Sequence, residues 1–156
     1  MAMGRAIVSV VVGYVVMFAT IFLAFTGLYL LLGQDLSFRP DTYEPSLLWT
    51  VVSFALGMGA AVLAGYVCAR IARTTTPPKV LAGMVLVIGL LSAIPVLMAA
   101  TTPAVARTGE VGNMDAMMKA KQPAWVAVAN PFVGLVGVLL GARLWRTTHR
   151  PLIVSA

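Results

Sequence analysis

The chain alternates between long tracts without charge and short segments that hold every ionised side chain. Residues 6–34, 45–69, 80–106 and 122–142 contain no Asp, Glu, Lys or Arg. Each tract meets the length of about 20 apolar residues that a helix needs to cross a bilayer. None places polar residues at the helical spacing that would give a soluble bundle its wet face. The pattern predicts an all-α, polytopic membrane protein forming a single domain. Its four spans are expected at about 6–33, 46–72, 80–100 and 123–146, arranged as two hairpins.

The interruptions fit this division. In "QDLSFRPDTYEP", Pro40 and Pro45 oppose helix at each preceding residue. "TTTPPK" predicts a tight basic turn. The longer segment from Thr101 to Gln122 contains "GNMDAMMKAK", which predicts a short amphipathic helix capped by Asn113. Trp49 and Trp125 fall at one membrane boundary and Trp145 at the other, where amphipathic aromatics settle.

Composition strengthens the membrane reading. Of 156 residues, 60% are hydrophobic and 10% charged, against about 25% charged in an ordinary soluble domain. The net charge of +6 would suit nucleic acid, but its distribution argues for a membrane instead. If the chain crosses four times, Arg5, Arg70, Arg73, Lys79, Arg143, Arg146 and Arg150 fall on one side. Arg39, Arg107, Lys119 and Lys121 fall on the other, with all the acids: Asp35, Asp41, Glu44, Glu110 and Asp115. The positive-inside rule then puts both termini in the cytoplasm of a bacterial inner membrane. Lipids are the expected partners, and a bound lipid is expected in place of a cofactor. The first tract is about twice as long as the 7–15 residue core of a signal peptide, so it reads as a span. The single cysteine, Cys68, allows neither an internal disulfide nor a multi-cysteine metal site.

The glycines inside these tracts are unusual, because glycine weakens a helix by about 1 kcal/mol relative to alanine. In lipid, small residues let helix backbones approach closely, and that packing drives association. Asn130, Gly134, Gly137 and Gly141 occupy one continuous face of the fourth tract. Gly57, Ala61 and Gly65 form a small-xxx-small ladder on the second. Ser9, Gly13, Thr20, Ala24 and Gly27 line the first, and Ala82, Gly89 and Ala93 the third. These faces are expected to be helix-contact seams, closed within the chain or between chains. A weak repeat accompanies them. One shift along the sequence carries Trp49 to Trp125, Ala61 to Gly137, Gly65 to Gly141 and Arg70 to Arg146. Such a repeat would imply a pseudo-twofold axis along the membrane normal.

Pro95 and Pro131 lie inside spans and leave the carbonyls of Leu91 and Ala127 without helical donors. With Thr20, Ser53 and Asn130 in the same half of the membrane, they are candidates for the lining of an outward-facing pocket. The alternative is that Asn130 and the hydroxyls simply satisfy the freed carbonyls. Other chemistry is missing. No ionisable residue lies within a span, whereas coupled transporters and pumps usually place one there. The one histidine, His149, is in the C-terminal tail, so neither haem ligation by histidine inside the bilayer nor a Ser-His-Asp site is expected. No enzymatic activity is expected. Met114, Met117 and Met118 form the apolar face of the amphipathic segment. Thioethers of this kind can bind Cu(I), although an apolar face resting on the membrane or a partner explains them equally.

"GYVCARIA", "GNMDAM", "QPAW", "NP" and "GARL" together resemble strings in a set of small bacterial four-helix membrane proteins. The resemblance implies a fold and an envelope location, and no activity or functional residue. Two functions follow as expectations. The first is a non-catalytic accessory or scaffold subunit packing against other membrane proteins of a larger assembly, respiratory or photosynthetic for example. The alternative is a small homo-oligomeric transporter or ligand-binding protein with its pocket near Asn130.

Overall fold

The computed structural model describes residues 2–99 and 119–148. Within them the chain is helical, with four helices long and apolar enough to cross a membrane. α1 spans Ala2–Ser37, α2 Leu47–Ala72, α3 Thr76–Ala99 and α4 Ala124–Thr148. Among the described residues, β pairing is limited to an isolated bridge between Phe38 and Pro45. The segment expected as an amphipathic helix, with Met114, Met117 and Met118, lies outside the described residues.

The helix ends have local causes. α1 has 36 residues and is about 54 Å long at 1.5 Å per residue, well beyond a bilayer core of roughly 30 Å. Its expected end at Gly33 is a break inside the helix. Gly33 adopts φ 66° and ψ −176°, a conformation essentially reserved for glycine. Beyond it the helix resumes to Ser37, whose Oγ donates to the Gly33 carbonyl at 2.6 Å. Ser46 caps α2 by accepting from the Trp49 N–H at 3.0 Å. Arg73 closes α2 in the left-handed conformation, φ 56°, with its N–H on the Ala69 carbonyl. α3 starts earlier than expected, at Thr76, because Pro77 and Pro78 fit a first helical turn. The expected turn over "TTTPPK" thus shrinks to the residues before Thr76.

The segment between α1 and α2 is tied down. Arg39 pairs with Glu44 at 3.2 Å, and its N–H donates to the Glu44 carbonyl at 2.9 Å. Tyr29, Phe38 and Tyr43 form a buried aromatic cluster with Trp49 against it. The Lys121 N–H donates to the Tyr43 carbonyl at 2.9 Å, joining this segment to the approach to α4.

α2 lies centrally, in contact with the other three helices. α4 packs on α2 and α3, while α1 packs mainly on α2. Among the described residues the α1 and α4 backbones stay more than 8 Å apart, Cα to Cα. Arg5 at the start of α1 donates to the Ile71 carbonyl near the end of α2, so these helices run in opposite directions. The buried core comprises Met17, Ala60, Ala61, Ala64, Cys68, Leu81, Ala82, Val85 and Val138. Most are small, as expected where close backbone approach holds helices together. The large apolar side chains face outward instead: Phe22, Leu23, Leu30, Leu31 and Leu47 are all exposed. That inversion suits a hydrocarbon surround, in which leucine gains little by burial against leucine.

Candidate functional site

Two features bring the singled-out residues together: a seam between α2 and α4, and a cavity above it. In the seam, a Cβ on Gly65 would collide with the Val138 carbonyl. A Cβ on Gly141 would collide with the Val62 carbonyl. One on Gly137 would come within 2.6 Å of the Ala61 Cβ. These contacts are reciprocal. The shift that carries Gly65 to Gly141 also carries Val62 to Val138 and Ala61 to Gly137. α2 and α4 therefore pack about a local twofold, in register with the sequence repeat.

Other glycines serve neighbouring contacts. Gly134 receives Val85 from α3, and Gly89 receives the Pro131 ring. Gly13 sits against Leu81, Cys68 and Ala64, where α1 meets α2 and α3. Gly57 departs from the expected ladder with Ala61 and Gly65. A Cβ there would meet nothing within 4 Å, because the residue faces the cavity instead of continuing the Ala61–Gly65 seam.

The cavity lies between the separated backbones of α1 and α4. Its volume is about 380 Å³, within the range of about 300–1,000 Å³ found for small-molecule sites. All four helices line it. α1 supplies Tyr14, Met17, Ile21 and Phe25, and α2 supplies Ser53, Gly57 and Ala61. α3 supplies Val85, Ile88, Gly89, Ser92 and Ala93. α4 supplies Ala127, Asn130, Pro131, Val133 and Gly134, with Gln122 just before it. A second cavity of about 340 Å³ shares Phe25, Ser53, Gln122 and Asn130 and leads towards Phe38, Trp49 and Lys121.

The polar groups here are few: the Ser53 hydroxyl is buried, while the Gln122 and Asn130 amides sit at the exposed side of the cavity. Ser53 Oγ is buried and has no hydrogen-bond partner among the described residues. A serine in a helix can ordinarily donate to the carbonyl one turn back; Thr50 does so, to Ser46 at 2.9 Å. Among the described residues no hydrogen bond engages the Asn130 or Gln122 amide either. Asn130 therefore does not satisfy the Ala127 carbonyl that Pro131 leaves without a helical donor. The site thus presents hydroxyl, amide and carbonyl groups on an apolar wall, and among the described residues no charged side chain lines its larger chamber. It can hydrogen-bond a neutral molecule. Among the described residues no group of three metal-ligating His, Cys, Asp or Glu side chains exists.

Of the sequence-derived pocket residues, Ser53, Asn130 and Pro131 converge on this cavity, while Thr20 and Pro95 are not part of its wall. Thr20 is partly buried and Pro95 exposed. The wall also takes in Gln122 and Ser92. Their contribution depends on how α3 and the approach to α4 pack, which spacing along one helix does not show. No family model, curated protein or solved structure matches this chain.

Proposed function

We propose that this protein is a non-catalytic, multi-pass membrane protein that holds a small, uncharged, largely apolar molecule in the cavity beside Ser53 and Asn130. The observation that carries this reading is the unpartnered Ser53 hydroxyl, buried in the wall of a chamber that the exposed Asn130 amide also lines. A buried hydroxyl without a partner costs about 1–3 kcal/mol. A ligand that completes its hydrogen bond recovers that energy. The chain would sit in the bacterial inner membrane as two hairpins with both termini in the cytoplasm, following the charge bias. The cavity then lies in the outer half, open to substrates or lipids from that side. A small neutral lipid is the simplest occupant, and transport of such a molecule by a homo-oligomer is compatible with the same site.

Support for an accessory or scaffold subunit comes from the broad apolar outer surfaces of the helices. Lipid covers such surfaces equally well, so that function takes second place.

Thiol accessibility tests the proposal. Ser53→Cys places a reactive group in the cavity wall, while the native Cys68 is fully buried. In native membranes the introduced thiol should be protected from a small neutral alkylating reagent. After the protein has been stripped of lipid in detergent it should react readily. Equal reactivity in both states, or inertness like that of Cys68 in both, would overturn the proposal.

A further inference from the structure

At the end of the bundle where α1 begins and α4 ends, a separate cavity of about 220 Å³ lies between α2, α3 and α4. Its wall includes Lys79 at the start of α3, Arg143 and Arg146 near the end of α4, and the hydroxyl residues Thr74 and Thr75. We propose that this cavity is a phosphate-binding site, occupied by the phosphate of an anionic lipid headgroup or of a soluble phosphate compound.

Charge decides the class of ligand. The ion pair of Arg39 with Glu44 lies at the opposite end of the molecule. Asp35 and Asp41 lie near that pair, so no described acid neutralises Lys79, Arg143 or Arg146. Helix dipoles modify this field without reversing it. The start of α3 adds roughly half a positive charge, while the ends of α2 and α4 each add roughly half a negative charge. Three full cations outweigh the difference.

Geometry narrows the class further. Arg143 and Arg146 stand one turn apart on the same side of α4, a spacing that lets two guanidinium groups converge on one anion. Guanidinium forks match the oxygens of phosphate, and Lys79 adds a point charge. The threonine hydroxyls supply further donors. Pro77 and Pro78 lack N–H groups, so the backbone at the start of α3 contributes less than an ordinary helix N-terminus does. Recognition therefore falls to the side chains, which makes it testable by substitution.

The test uses the full chain in a neutral detergent, with thermal unfolding and native mass spectrometry as readouts. The probes are phosphatidylglycerol, phosphatidylcholine and inorganic phosphate. Saturable stabilisation by phosphatidylglycerol, but not by phosphatidylcholine or inorganic phosphate, supports the site and assigns it to a lipid headgroup. Saturable stabilisation by inorganic phosphate supports it with a soluble source. In either case Arg143→Gln should weaken binding about tenfold, the loss expected for one charge-assisted hydrogen bond. Adding Arg146→Gln should abolish the response, whereas Arg39→Gln at the other end should retain it. Lys79→Gln alone provides the same test if the double variant does not fold. An undiminished response in these cation variants, or no response to any phosphate probe beyond that to phosphatidylcholine, overturns the proposal.

Discussion

Gly65→Ala separates close backbone packing from mere tolerance of glycine. In an unconstrained helix this change should stabilise by about 1 kcal/mol, because alanine is the better helix former. At Gly65 the new methyl would fall on the Val138 carbonyl. The obstacle is backbone, so no side-chain rotation relieves it. α2 and α4 would have to separate by on the order of 1 Å, which forfeits roughly a quarter to a half of the dispersion energy of each contact along the seam. Overpacking of this kind typically costs about 1–3 kcal/mol, enough to reverse the helix-propensity gain. Gly57→Ala is the internal control. Its methyl would meet nothing within 4 Å, so that variant should be as stable as the parent or up to about 1 kcal/mol more stable. Reversible unfolding in mixed micelles, followed by circular dichroism, measures both. A Gly65→Ala protein as stable as Gly57→Ala would refute the seam.

Ser53→Ala should leave the ligand-free protein unchanged or stabilise it by up to about 1–3 kcal/mol, since it removes an unsatisfied buried hydroxyl. It should also weaken retention of the bound molecule, and denaturation and ligand extraction report these opposite effects. Gly33→Ala should destabilise by about 1–3 kcal/mol in the same unfolding assay, because space is free there and the backbone conformation alone demands glycine. Ser46→Ala should remove the α2 cap and cost about 1 kcal/mol.

Much of the architecture was legible because lipid enforces it. Four uncharged tracts became four apolar helices. The boundaries were less legible. A glycine can end a helix or bend it, and Gly33 bends it, while Pro77 and Pro78 open α3. Spacing also placed Gly65, Gly137 and Gly141 on faces that meet at backbone distance. It could not show where the Gly57 ladder leaves its partner, because that depends on the splay of neighbouring helices. The same limit applied to the cavity. Ser53, Asn130 and Pro131 could be read from their shared depth, but depth alone also admitted Thr20 and Pro95, which the wall leaves out. The basic cavity draws Lys79, Arg143 and Arg146 from separate segments, so in sequence it read only as scattered flanking charge.

Native mass spectrometry of the tagged protein, released from its own membranes in mild detergent, tests the central claim most directly. The expected result is a chain that carries a small neutral molecule, whose occupancy falls in the Asn130→Leu and Ser53→Ala variants while their helical content is unchanged. A chain without any bound molecule, in stoichiometric complex with larger subunits, would contradict the binding function and favour the accessory one. Equal retention by both variants would show that the cavity is not where the molecule sits.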